Sequence, residues 1–136
     1  EGGGIMAEEK AKKAIRTYRD LVAWQKAMEL TEVVYQATAA FPDGEKFGLV
    51  SQMRRSAVSV PSNVAEGFGR GRPAEFRRFL EVSRGSLFEL QTQAELARRF
   101  GWIKGEALTA MRDLTHELDA VLAGLLNSVK TGRRSS

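Results

Sequence analysis

Apolar residues recur at steps of three and four along most of the chain. They fall into four segments separated by short runs of helix-breaking residues, so the pattern predicts four amphipathic helices. The first segment spans about Tyr18 to Ala40, with Leu21, Trp24, Met28, Thr31, Tyr35 and Thr38 as its stripe and Ala27 and Val34 widening it. Thr17 followed three residues later by Asp20 predicts a cap at its start. Phe41-Pro42-Asp43-Gly44 ends it, because Pro42 disfavours helix at Phe41 and Gly44 permits a turn. The second segment, about Lys46 to Glu66, carries Val50, Met53, Ala57, Val60 and Val64 at the same spacing. Pro61 inside it removes one amide donor and crowds the carbonyl of Ala57, which predicts a kink or a break. Gly67 to Gly71 reads as a flexible linker.

The third segment opens with Pro73 at a first helical position and Glu75 in the first turn. It continues through Phe76, Phe79, Leu80, Ser83, Leu87, Leu90, Ala94 and Ala97 to a stop at Gly101. The fourth, about Lys104 to Lys130, has Leu108, Met111, Thr115, Leu118, Leu122, Leu125 and Val129 and ends at Gly132. Such helices are about 30 to 42 Å long. Joined by short loops, they predict an all-α fold, an antiparallel up-down four-helix bundle over residues 18–130. Glu1 to Gly4, with Ile5, reads as a tag remnant ahead of a start at Met6. Residues 1–17 as a whole then form a basic N-terminal tail, and 131–136 a basic C-terminal one.

Composition narrows the chemistry. A chain of 136 residues with 43% hydrophobic and 28% charged residues suits one globular domain. The absence of cysteine excludes disulfides, thiolate metal sites and cysteine nucleophiles. His116, the one histidine, leaves no multi-histidine metal site and no conventional triad, and its neighbours Arg112, Asp113 and Glu117 fit a helix surface better than a general base. No catalytic residue, metal, cofactor or enzymatic activity is therefore expected. No apolar run approaches the ~20 residues needed to cross a bilayer, so a cytoplasmic protein without a membrane partner is expected.

Charge is modest in total, +4, but uneven. Residues 54–99 hold nine arginines and five glutamates, whereas 18–53 and 100–129 each carry a balance of −2. Arg54, Arg55, Arg70, Arg72, Arg77, Arg78 and Arg84 are the candidate nucleic-acid-binding residues, since arginine's planar fork suits phosphate. The same residues also fit intrahelical pairs such as Glu81 with Arg77 or Arg78, and Glu95 with Arg98 or Arg99. Gly67-Phe68-Gly69-Arg70-Gly71-Arg72 lacks the strand and the Lys-Ser/Thr of a nucleotide-binding loop. Next to a helix start at Pro73 it still suits a nucleic-acid phosphate, with Phe68 either stacking on a base or packing back on the bundle.

A second stripe on the second helix, read as lying opposite its apolar one, comprises Gln52, Ser56, Ser59, Asn63 and Glu66, and the third helix adds Ser83, Ser86, Glu89 and Gln93. Small polar faces let helices approach closely, so Gln52, Ser56, Ser59, Asn63, Glu66, Ser86, Glu89 and Gln93 are the candidate subunit interface of a homo-oligomer; on a single bundle they would face water.

Several stretches carry a resemblance: Tyr18-Arg19-Asp20-Leu21, Trp24-Gln25-Lys26-Ala27, Phe47-Gly48-Leu49, Ser51-Gln52-x-Arg54-Arg55-Ser56, Pro61-Ser62-Asn63-Val64-Ala65-Glu66-Gly67 and Glu75-Phe76-x-Arg78-Phe79-Leu80. Over Tyr18 to Ile103 the chain resembles the four-helix bundle family encoded in intervening sequences of bacterial large-subunit ribosomal RNA genes. That family is similar in fold to the accessory variability proteins of diversity-generating retroelements. The resemblance implies a homopentameric ring or barrel without enzymatic activity. Through the retroelement relatives it implies a basic surface for RNA or DNA and a reverse transcriptase partner. The expected function is thus a non-enzymatic oligomer that binds nucleic acid, with a protein-interaction scaffold that does not touch nucleic acid as the alternative.

Overall fold

The computed structural model describes residues 14–129. A 3-10 turn, Tyr18–Asp20, precedes helix α1 (Val22–Thr38); a second, Asp43–Glu45, leads into α2 (Leu49–Arg70), which is followed by α3 (Pro73–Arg99) and α4 (Gly105–Ser128). Among the described residues there is no strand. Each helix packs on its neighbours in chain order, and α4 closes the ring against α1, which is the arrangement of an up-down four-helix bundle. The expected tag remnant, the basic residues Lys10, Lys12, Lys13, Lys130, Arg133 and Arg134, and the stop at Gly132 lie outside the described residues.

The predicted cap forms, although around the first 3-10 turn rather than on α1 itself. Thr17 Oγ1 accepts from the Arg19 amide at 3.1 Å, and the Asp20 carboxylate accepts from the amides of Thr17 and Arg16 at 3.1 and 2.9 Å. Those two backbone bonds hold the Asp20 carboxyl below the usual carboxylate range.

On α1 the buried stripe differs from the expected one. Ala23, Ala27, Leu30, Val34 and Thr38 are buried, whereas Met28 and Tyr35 are exposed and Trp24 and Thr31 only half-buried. Two alanines at the centre of the face let α1 lie close to its neighbours, and the larger Trp24 and Tyr35 flank the contact instead of filling it. The α2 stripe is as expected, with Val50, Met53, Ala57, Val60 and Val64 all buried. The α3 stripe also holds from Phe79 to Ala97, with Ser86 added and Phe76 half-buried. In α4, Leu126 takes the buried place expected of Leu125.

Pro61 does not break α2, which runs continuously from Leu49 to Arg70. The Thr31 hydroxyl of α1, 2.8 Å from the Ala27 carbonyl of its own helix, is shared with the Ala57 carbonyl that Pro61 leaves without its amide, at 3.2 Å. On the opposite flank, the Ser83 hydroxyl of α3 donates to the Val60 carbonyl at 2.9 Å. Two side chains from neighbouring helices thus serve the backbone around the proline.

The linker expected at Gly67–Gly71 is likewise corrected: Gly67 to Arg70 are the last helical turn of α2, and only Gly71 and Arg72 connect it to α3. Gly67 continues the buried Val60/Val64 stripe at a helical step. A Cβ there would stand 2.6 Å from the Cβ of Phe79, so the glycine marks a close α2–α3 approach rather than a flexible joint. Gly71, at φ 79°, makes the turn. Gly101, also at φ 79°, ends α3, with its amide on the Arg98 carbonyl and the Trp102 amide on that of Ala97, both at 2.9 Å.

Candidate nucleic-acid interface

Because α2 and α3 form one hairpin, the arginines of residues 54–99 gather on adjacent helices, and the structure sorts them by what they already bond. Arg70 meets Glu66 at 2.7 Å, Arg72 meets Glu75 at 3.5 Å and Arg77 meets Glu81 at 3.7 Å, all within a helical turn. Arg77 also donates to the Leu126 carbonyl, near the last turn of α4. Arg84 crosses to Asp119 of α4 at 2.6 Å, and this hydrogen-bonded partner raises the guanidinium above its ordinary range. Glu95 collects Arg98, Arg99 and Arg112 at 2.8, 2.9 and 3.6 Å. The hydrogen bonds from Arg98 and Arg99 pull its carboxyl down to about 2.

Three candidates pair with no carboxylate among the described residues. Arg55 is exposed on α2. Arg78, exposed on α3, has its guanidinium 4.6 Å from the Phe79 ring centroid. Arg54 is anchored at neutral atoms, donating to Thr38 Oγ1 at 2.9 Å and to the Tyr35 carbonyl at 3.2 Å, with its guanidinium 4.4 Å from the Tyr35 ring centroid. Arg54 therefore lines the α1–α2 side, Arg55 stands exposed at its edge, between that side and the outer side of the α2–α3 hairpin, and Arg70 and Arg78 lie on that outer side.

The polar stripe lies beside the core of α2, not opposite it: at 100° per residue its centre is about 120° from the apolar one. Ser56 and Ser86 are consequently buried, Ser59 and Ser86 share a hydrogen bond of 2.7 Å across the α2–α3 seam, and Asn63 donates to Ser59 Oγ at 2.9 Å. Gln52, Glu66 and Glu89 remain exposed and Gln93 half-buried. Much of the stripe is thus used inside the chain.

Phe68 packs back, edge-on to Phe76 with ring centroids 5.8 Å apart. The first turn of α3 already holds the Glu75 carboxylate, which weakens that helix end as an anion site. His116 lies on a groove of ≈440 Å³ between α3 and α4 beside Glu95, Asp113 and Arg112. Among the described residues no group of His, Asp and Glu is placed to hold a metal, and no helix is long and apolar enough to cross a membrane.

Sequence reasoning missed the groove between α1 and α2, ≈650 Å³, where Phe47 and Lys46 meet Tyr35, Arg54 and Arg55. One signal points to it: Phe47 is a lone large aromatic in a polar stretch between Gly44 and Gly48, where no helical stripe claims it.

The family model for the 23S rRNA-intervening sequence protein matches residues 19–124. The chain belongs to this family. Among solved structures it is similar to a protein of unknown function from the S23 ribosomal protein family of Bacteroides thetaiotaomicron VPI-5482. The TM-score is 0.71 at 20% identity, over 79% of this chain and 96% of that one. At that identity the likeness concerns the fold. No curated protein matches the chain. Family membership therefore comes with the four-helix scaffold.

Proposed function

We propose that this member of the family is a non-enzymatic, self-assembling bundle that binds RNA or DNA through the outer side of its α2–α3 hairpin. The observation that carries the reading is the pair Arg55 and Arg78, exposed guanidinium groups with no carboxylate partner among the described residues, on a hairpin that holds four more arginines than glutamates. Arg70 stands on the same side as Arg78; at 1.5 Å per residue it lies about 22 Å along α2 from Arg55. Unpaired guanidinium groups keep their charge available to phosphate, and a homopentamer would sum the hairpin charge to about +20.

Self-association is supported by the outward face of α3 toward its C-terminal end, where Leu96 stands one heptad after Glu89 and Phe100 follows one turn later, all exposed, with Leu96 about 27 Å along the helix from Arg78. Leu96→Glu is expected to lower the mass measured by light scattering with helix content unchanged; an unchanged multimeric mass would remove this face from the assembly. Replacing Arg55, Arg70 and Arg78 by Gln together should weaken binding of structured RNA or duplex DNA and flatten its salt dependence. The slope of log affinity on log salt should fall by about 0.9 for each duplex phosphate that the variant no longer neutralises. Unchanged affinity and slope would overturn the proposed surface, and partner capture that survives nuclease would favour a protein scaffold in its place.

A further inference from the structure

Phe47 stands between α1 and α2 with 89% of its surface exposed, the most of any large apolar side chain in the described chain. Single apolar residues on a surface are common, but this ring has neighbours that set it apart. The Lys46 ammonium is 5.6 Å from its centroid. Beside it runs the α1–α2 groove, which Tyr35, Val50 and Val58 line together with Arg54 and Arg55. That groove has three cations and no carboxylate in its lining. The α3–α4 grooves differ, since one mixes its arginines with Glu81 and the other holds Glu95 and Asp113. Glu45, close by in sequence, is turned to the start of α2, where it accepts from the Leu49 amide at 3.1 Å. Arg54 is pre-set by its bonds to Thr38 and the Tyr35 carbonyl, so a ligand meets a guanidinium already in place.

We propose that the α1–α2 groove binds an unpaired segment of nucleic acid, with a base stacked on Phe47 and the adjacent phosphates met by Lys46 and Arg55. The inference rests on the nucleic-acid reading above and names the form of ligand it takes. Phosphate alone would satisfy the cations but leave the ring in water. A duplex offers phosphate yet keeps its base faces stacked inside, whereas a single strand can turn a base face outward onto an aromatic side chain. An acidic peptide would match the charge but offers a flat partner for Phe47 only where it happens to carry an aromatic residue, whereas every nucleotide of a single strand offers a base face.

The test titrates the full chain with labelled oligo(U) of about twelve nucleotides and with a duplex of equal length. Stacking is worth about 1–3 kcal/mol per base, so Phe47→Ala should weaken oligo(U) binding roughly 5- to 160-fold with its salt slope unchanged. Duplex binding should stay as in the wild type, and Phe47→Trp should keep oligo(U) binding. Phe47 is too exposed for its truncation to threaten the core, and circular dichroism checks this. If Phe47→Ala binds oligo(U) like the wild type, or weakens both probes equally, the groove is not a single-strand site, while the hairpin reading stands. If the wild type binds neither probe at low salt, both readings fall.

Discussion

At the scale of single residues, glycine and glutamate carry the most local consequence. Gly67 and Gly69 sit in the same last turn of α2, yet an added Cβ would meet the Phe79 Cβ at 2.6 Å at the first and nothing within 4 Å at the second. Gly67→Ala should therefore destabilise, since overpacking of about 1–3 kcal/mol outweighs the helix-propensity gain of about 1 kcal/mol. Gly69→Ala should instead stabilise by up to about 1 kcal/mol. Urea titrations of the two variants check the contrast, and equal effects would refute the close approach. Glu95 offers a pH signature. Its carboxyl is held down to about 2 in the folded chain, below its ordinary 4.5, by Arg98 and Arg99. A depressed carboxyl contributes stability that is present above the unfolded value and lost as pH falls through the folded one. The melting temperature of Glu95→Gln should thus lie slightly below that of the wild type at pH 7, and the gap should close between pH 4.5 and 2.

At the scale of elements, most of the bundle was legible because helical periodicity is a property of the sequence itself. Breakers and small residues were not, because their meaning depends on the neighbour they meet. Pro61 reads as a break, yet Thr31, 30 residues earlier, donates to the carbonyl that the proline orphans. The glycines after Glu66 read as a linker, yet Gly67 is dictated by Phe79 on another helix. On α1 the large side chains draw the stripe toward Trp24 and Tyr35, while Ala23 and Ala27 make the contact. A double-mutant cycle tests the proline account. Thr31→Val should destabilise by about 1 kcal/mol in the wild type, by loss of a hydroxyl shared between the Ala27 and Ala57 carbonyls. It should cost less in a Pro61→Ala background, where residue 61 regains an amide for that carbonyl. Additive effects of the two substitutions would mean that the hydroxyl does not serve the orphaned group.

At the scale of the whole molecule, the concentration of arginine on one hairpin was legible, since it is arithmetic on the sequence. Which of those arginines stay free was not, because Arg84 finds Asp119 and Arg77 finds the Leu126 carbonyl only once α4 has docked. Folding leaves Arg55 and Arg78 without carboxylate partners among the described residues and sets Arg54 against Tyr35. The proposed function depends on these uncompensated guanidinium groups meeting a polyanionic partner. Fluorescence anisotropy of the wild type with labelled duplex DNA and structured RNA, at about 50 and 200 mM salt, tests that dependence most directly. If three duplex phosphates are contacted, counterion release predicts roughly a 40-fold loss of affinity over this range. Absence of binding at the lower salt, or binding indifferent to salt, would contradict it.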